Sequence, residues 1–256
     1  MKSTSTGVGS DRVNIIESSL LNATSLVRAG VSTRQGGVSA SPLGLNLSFT
    51  SNDLGENVLK NRELFFAALG IDPKSLAIPK QVHGNSVRRV DSAGHIGECD
   101  ALVTDVPGVS LSVTVADCAP IFLLDPVLKV VGIIHAGWRG TVARIAEHTI
   151  RFMSDEYGSE LGRILGYIGP CASVCCYSVG EDVASKFDSA CVRNVDGKMF
   201  VDLKSANRDQ LVRSGVPASQ IEVSSFCTIS DSELFHSFRR DSEASGRMMG
   251  VIALVG

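Results

Sequence analysis

The chain lacks the features that would settle its class at a glance. No uninterrupted apolar run of about 18 residues is present, so the sequence offers no membrane-spanning helix. Its opening, "MKSTSTGVGSDRVN", has no apolar core of the kind a secretion signal needs. Neither sign of charge dominates: 24 Lys and Arg stand against 27 Asp and Glu, a formal net charge of −3. That balance supplies no general attraction to nucleic acid, although a local basic pocket is compatible with it. There is no GxSxG elbow, no GxxxxGKS/T phosphate loop, no HExxH pair, no internal repeat and no low-complexity tract. "GVGS" and "RQGG" are too slight to be cofactor fingerprints.

Two scarcities narrow the chemistry further. Only five histidines occur, and the seven cysteines are an odd number in a chain of 256 residues, long enough to bury a full-sized core without staples. Reduced thiols in a cytoplasmic protein are therefore expected. Three of the cysteines sit in "CASVCC" (171 to 176); they could bind metal, but no partner CxxC pair accompanies them, and idle thiols in a tight loop are the plainer reading.

What is present reads as a mixed α/β layer structure. Residues 1–10 look like a loose arm, and no composition break divides residues 11–256. "NVLKNRELFFAALGID" (57 to 72) repeats apolar residues at helical spacing and stops at Gly70. "SLAIPKQVHGNSVRRV" alternates around Val82, His83 and Val87, which suggests strands flanking a turn at Gly84 and Asn85. The apolar middle predicts strands over 101–104, 109–115 and 130–134, with "PIFLLD" as a fourth and a helix from Thr141 to about Met153. "RILGYIGPC" and "QIEVSSFCT" resemble strands, "VGEDVASKF" and "SANRDQLVRSG" helices. The alternation is too irregular for a (β/α)8 barrel.

Candidate chemistry gathers at the ends of apolar runs: His83 in "QVHG", Cys118 in "ADCAP" and His135 in "HAGWRG". Two imidazoles and one thiolate suit zinc with a fourth position open, where the ion would acidify water or polarise a substrate oxygen. The spacings, 35 residues and then 17, match no short zinc motif. Alternatives stay open: a metal-free Cys118 nucleophile with His83 or His135 as base, or a closed structural zinc completed by Cys171 or Cys227. Asp100, Asp105 and Asp117 accompany these residues and could orient a ligating imidazole or move a proton. His95 and His148 have no distinguishing context. Arg34, Arg139, Arg239, Arg240 and Arg247 occur in Gly- and Ser-rich loops, where converging guanidinium forks would match phosphate oxygens. Arg88, Arg89, Arg144 and Arg151 read as surface residues.

The ordered blocks "STRQGGVS", "LNLS", "NRELF", "QVHG", "DALVT", "ADCAPIFLLD", "HAGWRG", "IGPC", "CCYSVG" and "SFRRDSEASGR" span about residues 27–250, and the chain resembles the YfiH/LACC1 family of laccase-domain proteins. The resemblance implies a single α+β domain, an α-β-β-α layered mixed-sheet fold of the CNF1/YfiH-like type. It implies a zinc site on His83, Cys118 and His135. It also implies phosphorolysis of adenosine, inosine, guanosine and S-methyl-5'-thioadenosine, together with deamination of adenosine. Arg34 and Arg139 take the positions of the family's TRxGG and GWRG arginines and are assigned to phosphate, with Asp117 or Asp100 as proton donor. Purine nucleosides and inorganic phosphate are then the partners, with no nucleic acid, no membrane and no second chain. Ser242 stands where the family usually has glycine, Ser245 where threonine is common, and Cys99 where alanine is frequent. The family's names also admit a copper-dependent polyphenol oxidase or a peptidoglycan-precursor editing hydrolase. Five histidines cannot build a blue-copper site plus a histidine-rich trinuclear cluster, so Cu2+ would enter only as a mononuclear alternative to Zn2+.

Overall fold

A computed structural model describes residues 2–6 and 13–255. Two mixed sheets face each other. The first runs in the order β1 (Lys2–Thr6), β2 (Val13–Glu17), β3 (Val27–Ser32), β16 (Met248–Leu254), β8 (Ser110–Val115), β4 (Leu76–Lys80), β6 (Gly94–Glu98). The second runs β15 (Ile221–Val223), β11 (Leu165–Ile168), β9 (Ala119–Asp125), β10 (Val130–Ala136), β7 (Ala101–Thr104), β5 (Val87–Arg89). A small third sheet, β12 (Ser178–Val179), β14 (Lys198–Val201) and β13 (Val192–Val195), lies apart from the sandwich with the short α5 (Glu181–Ala184). Of the expected loose arm, Lys2–Thr6 pair antiparallel with β2, and the rest lies outside the described residues.

Three apolar clusters fill the gaps between four layers. Val31, Leu111, Val113, Phe122, Ile133 and Ile252 occupy the space between the two sheets. On the outer face of the first sheet, Phe65, Phe66 and Leu69 of α2 (Gly55–Leu69) cover Ile15, Met249 and Val251. On the outer face of the second, Ile145, Ile150 and Met153 of α4 (Ile145–Tyr157) and Leu211 of α6 (Leu203–Arg213) cover Val103, Ile121 and Leu123. The order is helix, sheet, sheet, helix, an α+β layering in one domain. Each such side chain contributes about 1.5–3 kcal/mol when fully buried, and the strands buried on both faces read as unbroken apolar runs for that reason.

Most expected elements fall where the patterns put them, and the differences have local causes. The helix expected from Thr141 is two: α3 (Trp138–Val142) begins earlier, and Arg144 in the left-handed region at φ 62° breaks the axis before α4. The strands flanking "QVHG" do not form a hairpin, because β4 belongs to the first sheet and β5 to the second. Remaining helical pieces are α1 (Ser19–Asn22), capped by the Ser18 hydroxyl, and α7 (Phe238–Asp241), capped by Ser237.

The topology that positions the site is a threefold crossing. β4, β6 and β8 run parallel in the first sheet, and each is followed at the same end by a strand of the second: β5, β7 and β9. His83 lies on the first crossing, Asp100 on the second, and Asp117 with Cys118 on the third. His135 arrives at the same end on β10, whose antiparallel register sets it opposite Pro120, with Ile134 opposite Ala101.

Candidate metal centre

His83, Cys118 and His135 converge: their ligand atoms all lie within 4.8 Å of one another. The two imidazoles meet edge to face at 4.8 Å between ring centres. His135 is buried, Cys118 half-buried and His83 exposed to the cleft. A soft sulfur and two nitrogens at this separation form a donor set that fits a metal ion such as zinc, leaving an open coordination position. Cys171 and Cys227 do not join this set.

Asp100 organises both histidines. Its carboxylate accepts from His135 Nδ1 at 2.8 Å and from the backbone N–H groups of Val82, His83 and Gly84 at 3.2, 3.0 and 2.7 Å. Its carbonyl accepts the His135 N–H at 2.7 Å. Three successive N–H groups wrapped on one carboxylate fix the turn that holds His83 at φ 59°. Asp100 also sets the tautomer of the neutral His135 ring: the proton lies on Nδ1 toward the carboxylate, and Nε2 faces the centre once a metal has displaced its proton. Gln81 completes the support: its amide donates to the Thr114 carbonyl and its oxygen accepts the Thr114 N–H, substituting for a strand neighbour.

The electrostatics follow from this packing. Burial opposes charge at Cys118, but the His135 and His83 imidazoles outweigh it and bring the thiol down to about 6. Burial likewise opposes charge at His135, while the Cys118 sulfur and the Asp100 carboxylate raise it to about 9. A thiolate is thus available near neutral pH, the form a metal requires.

The glycines of "HAGWRG" answer to close approach. A Cβ at Gly137 would lie 2.9 Å from the Cys118 sulfur and 3.1 Å from the His83 ring, and one at Gly140 would lie 2.9 Å from the Gly84 carbonyl. The tryptophan and arginine of the same motif form the wall, with the Arg139 guanidinium 4.4 Å from the Trp138 ring centre.

The centre opens into a cleft of about 840 Å³, within the range of small-molecule sites. Phe49, Trp138, Tyr177 and Phe238 supply aromatic walls, and Arg62, Arg139, Arg239 and Arg247 supply positive charge. Arg239 lies over Tyr177 at 4.9 Å and Arg247 over Phe238 at 5.2 Å. A second cleft of about 780 Å³ shares Trp138, Tyr177 and Arg239 with the first.

Other expected site residues take different places. Arg34 does not line the cleft: its guanidinium donates to the carbonyls of Ser232 and Pro42 and pins loops together. Arg240 is a strut, donating to the carbonyls of Thr228, Ile229 and Phe235 and paired with Asp241. Asp117, at φ 84°, reaches the cleft, but its two oxygens accept from the Thr228 hydroxyl at 2.7 Å and the Arg239 N–H at 2.6 Å. It tethers the Cys118 crossing to the late loop. Asp105 pairs with Arg89 on the surface, and His148 faces Asn85 there. His95, Phe49 and Tyr177 line the cleft as well, though none of them stands out as a site residue in the sequence pattern. The "NRELF" and "CCYSVG" blocks already carried Arg62 and Tyr177, whereas no signal marked His95. Among the five histidines only His83 and His135 join a metal-ligand cluster, so the described residues contain no trinuclear copper set. None of the described helices is long and apolar enough to cross a membrane.

Comparison with known proteins gives a consistent result. A profile of the family described as multi-copper polyphenol oxidoreductase laccase matches residues 28–255. The chain is 42% identical over 241 residues to a purine nucleoside phosphorylase of Deinococcus radiodurans, covering 92% of each chain. It is 37% identical over 222 residues to the adenosine deaminase RL5 of an unknown prokaryotic organism, covering 80% of this chain and 84% of that one. The crystal structure of the hypothetical protein YfiH from Bacillus licheniformis superposes with a TM-score of 0.87 at 34% identity, covering 95% of this chain and 96% of that one.

Proposed function

Because the chain belongs to the family described as multi-copper polyphenol oxidoreductase laccase, whose relatives include a purine nucleoside phosphorylase and an adenosine deaminase, we propose that it is a zinc-dependent purine nucleoside phosphorylase that also deaminates adenosine. Adenosine, inosine, guanosine and S-methyl-5'-thioadenosine are its substrates in this reading. The observation that carries it is the convergence of His83, Cys118 and His135 in a cleft walled by aromatic rings and arginines. Flat purine rings stack on such walls, and the cleft volume admits a nucleoside with phosphate.

His83, Cys118 and His135 would hold the ion. Zinc there supplies a Lewis acid that makes a bound oxygen more acidic or more electrophilic. The chain's own groups do the rest. The Arg139 guanidinium has no hydrogen bond or ion pair among the described residues and rests on the Trp138 ring, so its fork remains available to orient phosphate. Arg62, Arg239 and Arg247 add positive potential around the anion. An oxygen of hydrogen phosphate attacks C1' as the bond to N9 breaks, and the proton that the phosphate gives up passes to the leaving purine, giving ribose 1-phosphate and the free base. Asp100 keeps His135 in one tautomer throughout, and Asp117 holds Arg239 and the late loop against the cleft.

Seven free thiols fit a reducing compartment, and we place the enzyme in the cytoplasm as a monomer. A second reading rests on the same triad of groups. Cys118, His135 and Asp100 also make a nucleophile, base and orienting carboxylate, the arrangement of a metal-free cysteine hydrolase.

Incubation of inosine with phosphate tests the first reading: hypoxanthine and ribose 1-phosphate are expected, and free ribose formed regardless of phosphate would sink phosphorolysis. With adenosine and no phosphate, inosine is expected from the wild type and not from Cys118→Ala. Chelation abolishes both reactions in the zinc reading and leaves turnover intact in the cysteine hydrolase.

A further inference from the structure

A second cluster of sulfur lies outside the cleft. Cys175 and Cys176 sit in the loop after β11, and Cys227 in the loop after β15. These strands are parallel neighbours, Gly166 opposite Ile221, so their following loops run side by side and an isolated bridge pairs Cys171 with Cys227. The three sulfurs of Cys175, Cys176 and Cys227 all fall within 4.8 Å of one another. None of the three lines the cleft that contains His83, Cys118 and His135.

Idle core thiols would have no reason to face a common point from two separate loops. These do, and the surrounding backbone is arranged for a sulfur anion. The Ser173 N–H points at Cys227 Sγ at 3.4 Å, and the N–H groups of Ile229 and Ser230 join it. Such N–H to sulfur bonds offset the charge of a metal-bound thiolate. The loop is also locked: the Cys227 N–H donates to Asp231 Oδ2 at 2.8 Å, the Asp231 N–H returns to the Cys227 carbonyl at 2.9 Å, and the Thr228 N–H donates to the Cys171 carbonyl at 3.1 Å. Cys175 is exposed, which gives an ion a way in.

We propose that Cys175, Cys176 and Cys227 form a second metal site, an all-thiolate site for a soft thiophilic d10 cation. Three thiolates without nitrogen or carboxylate favour soft ions over hard ones. Two sulfurs on one tetrahedral ion with bonds near 2.3 Å stand about 3.8 Å apart. Cys175 and Cys176 approach to 3.1 Å, and rotation of the exposed Cys175 side chain widens that gap without moving the locked Cys227 loop.

Cadmium is a suitable probe, because its thiolate complexes absorb in the ultraviolet in proportion to the sulfurs bound. Reduced full-length protein, stripped of metal, is titrated with cadmium as wild type, C118S, C175S, C176S and C227S. We expect about two equivalents for the wild type and about one for each variant, C118S retaining the stronger three-sulfur absorption. C175S and C176S alter an exposed and a half-buried side chain, so they keep the test open should C227S fail to fold. The proposal falls if C118S takes up no cadmium, or if C175S and C176S keep the wild-type stoichiometry and absorption.

Discussion

The carboxylate of Asp100 binds His135 Nδ1 at 2.8 Å while its backbone carbonyl takes the His135 N–H at 2.7 Å, so one residue holds the other by both ring and main chain. The same carboxylate closes the His83 turn. Loss of this charge should loosen both nitrogen donors at once. Asp100→Asn is expected to lower metal affinity about 10–100-fold. His83→Ala, Cys118→Ala and His135→Ala should each lower the zinc content by about one ion per chain. Metal analysis after dialysis against a competing chelator reads both effects, and full zinc occupancy in all three alanine variants would remove the assignment.

Gly137→Ala places a methyl where only 2.9 Å separates it from the Cys118 sulfur and 3.1 Å from the His83 ring. The expected consequence is displaced ligands, with metal affinity down about 10-fold or more and the melting temperature of the metal-free chain little changed. Unaltered affinity would show that the ligands yield to the extra atom at no cost.

Ser242 ends α7 at φ 49°, ψ −130°, a backbone region suited to glycine. A glycine, the residue that the family resemblance implies at this point of the late loop, would relieve that strain. Ser242→Gly should raise stability by about 1 kcal/mol, or about 2–4 °C in melting temperature. A thermal melt showing no gain would place the strain elsewhere.

His236 supplies a pH dependence. Its ring is buried against Gly246 with both nitrogens unpartnered among the described residues. Burial, and then the positive charges of Arg34 and Arg247, depress it from 6.5 to about 3. Below pH 6.5 the unfolded chain takes a proton that the folded chain refuses, so stability falls as pH drops toward 3. The slope approaches about 1.4 kcal/mol per pH unit. Urea midpoints between neutral and mildly acid pH should fall less steeply for His236→Gln than for the wild type; parallel curves would refute the role.

His83, Cys118 and His135, which converge in the structure, were legible as candidates because each lies at or just past an apolar run, a place where a sheet presents side chains to an opening, and the family resemblance singled them out together. Strand identity was legible for the same reason that buried strands lack alternation. Which sheet each strand joins was not, since β4 and β5 have no local mark distinguishing a hairpin from a crossing. Arg34 and Arg139 look alike in Gly-rich loops, yet Arg34 is spent on a carbonyl 198 residues away in the chain, which no window of sequence can display. Asp117 shows the same limit, its partner Thr228 lying 111 residues on.

The three crossings also set an order of events. His83 is delivered by a chain leaving the first sheet, Cys118 by another, and His135 by a strand wholly within the second. Neither sheet owns the full set of ligands, so the centre comes into being only when the sheets have docked. During refolding, metal capture will therefore lag the appearance of β-structure, and an ion's arrival will date the closure of the sandwich.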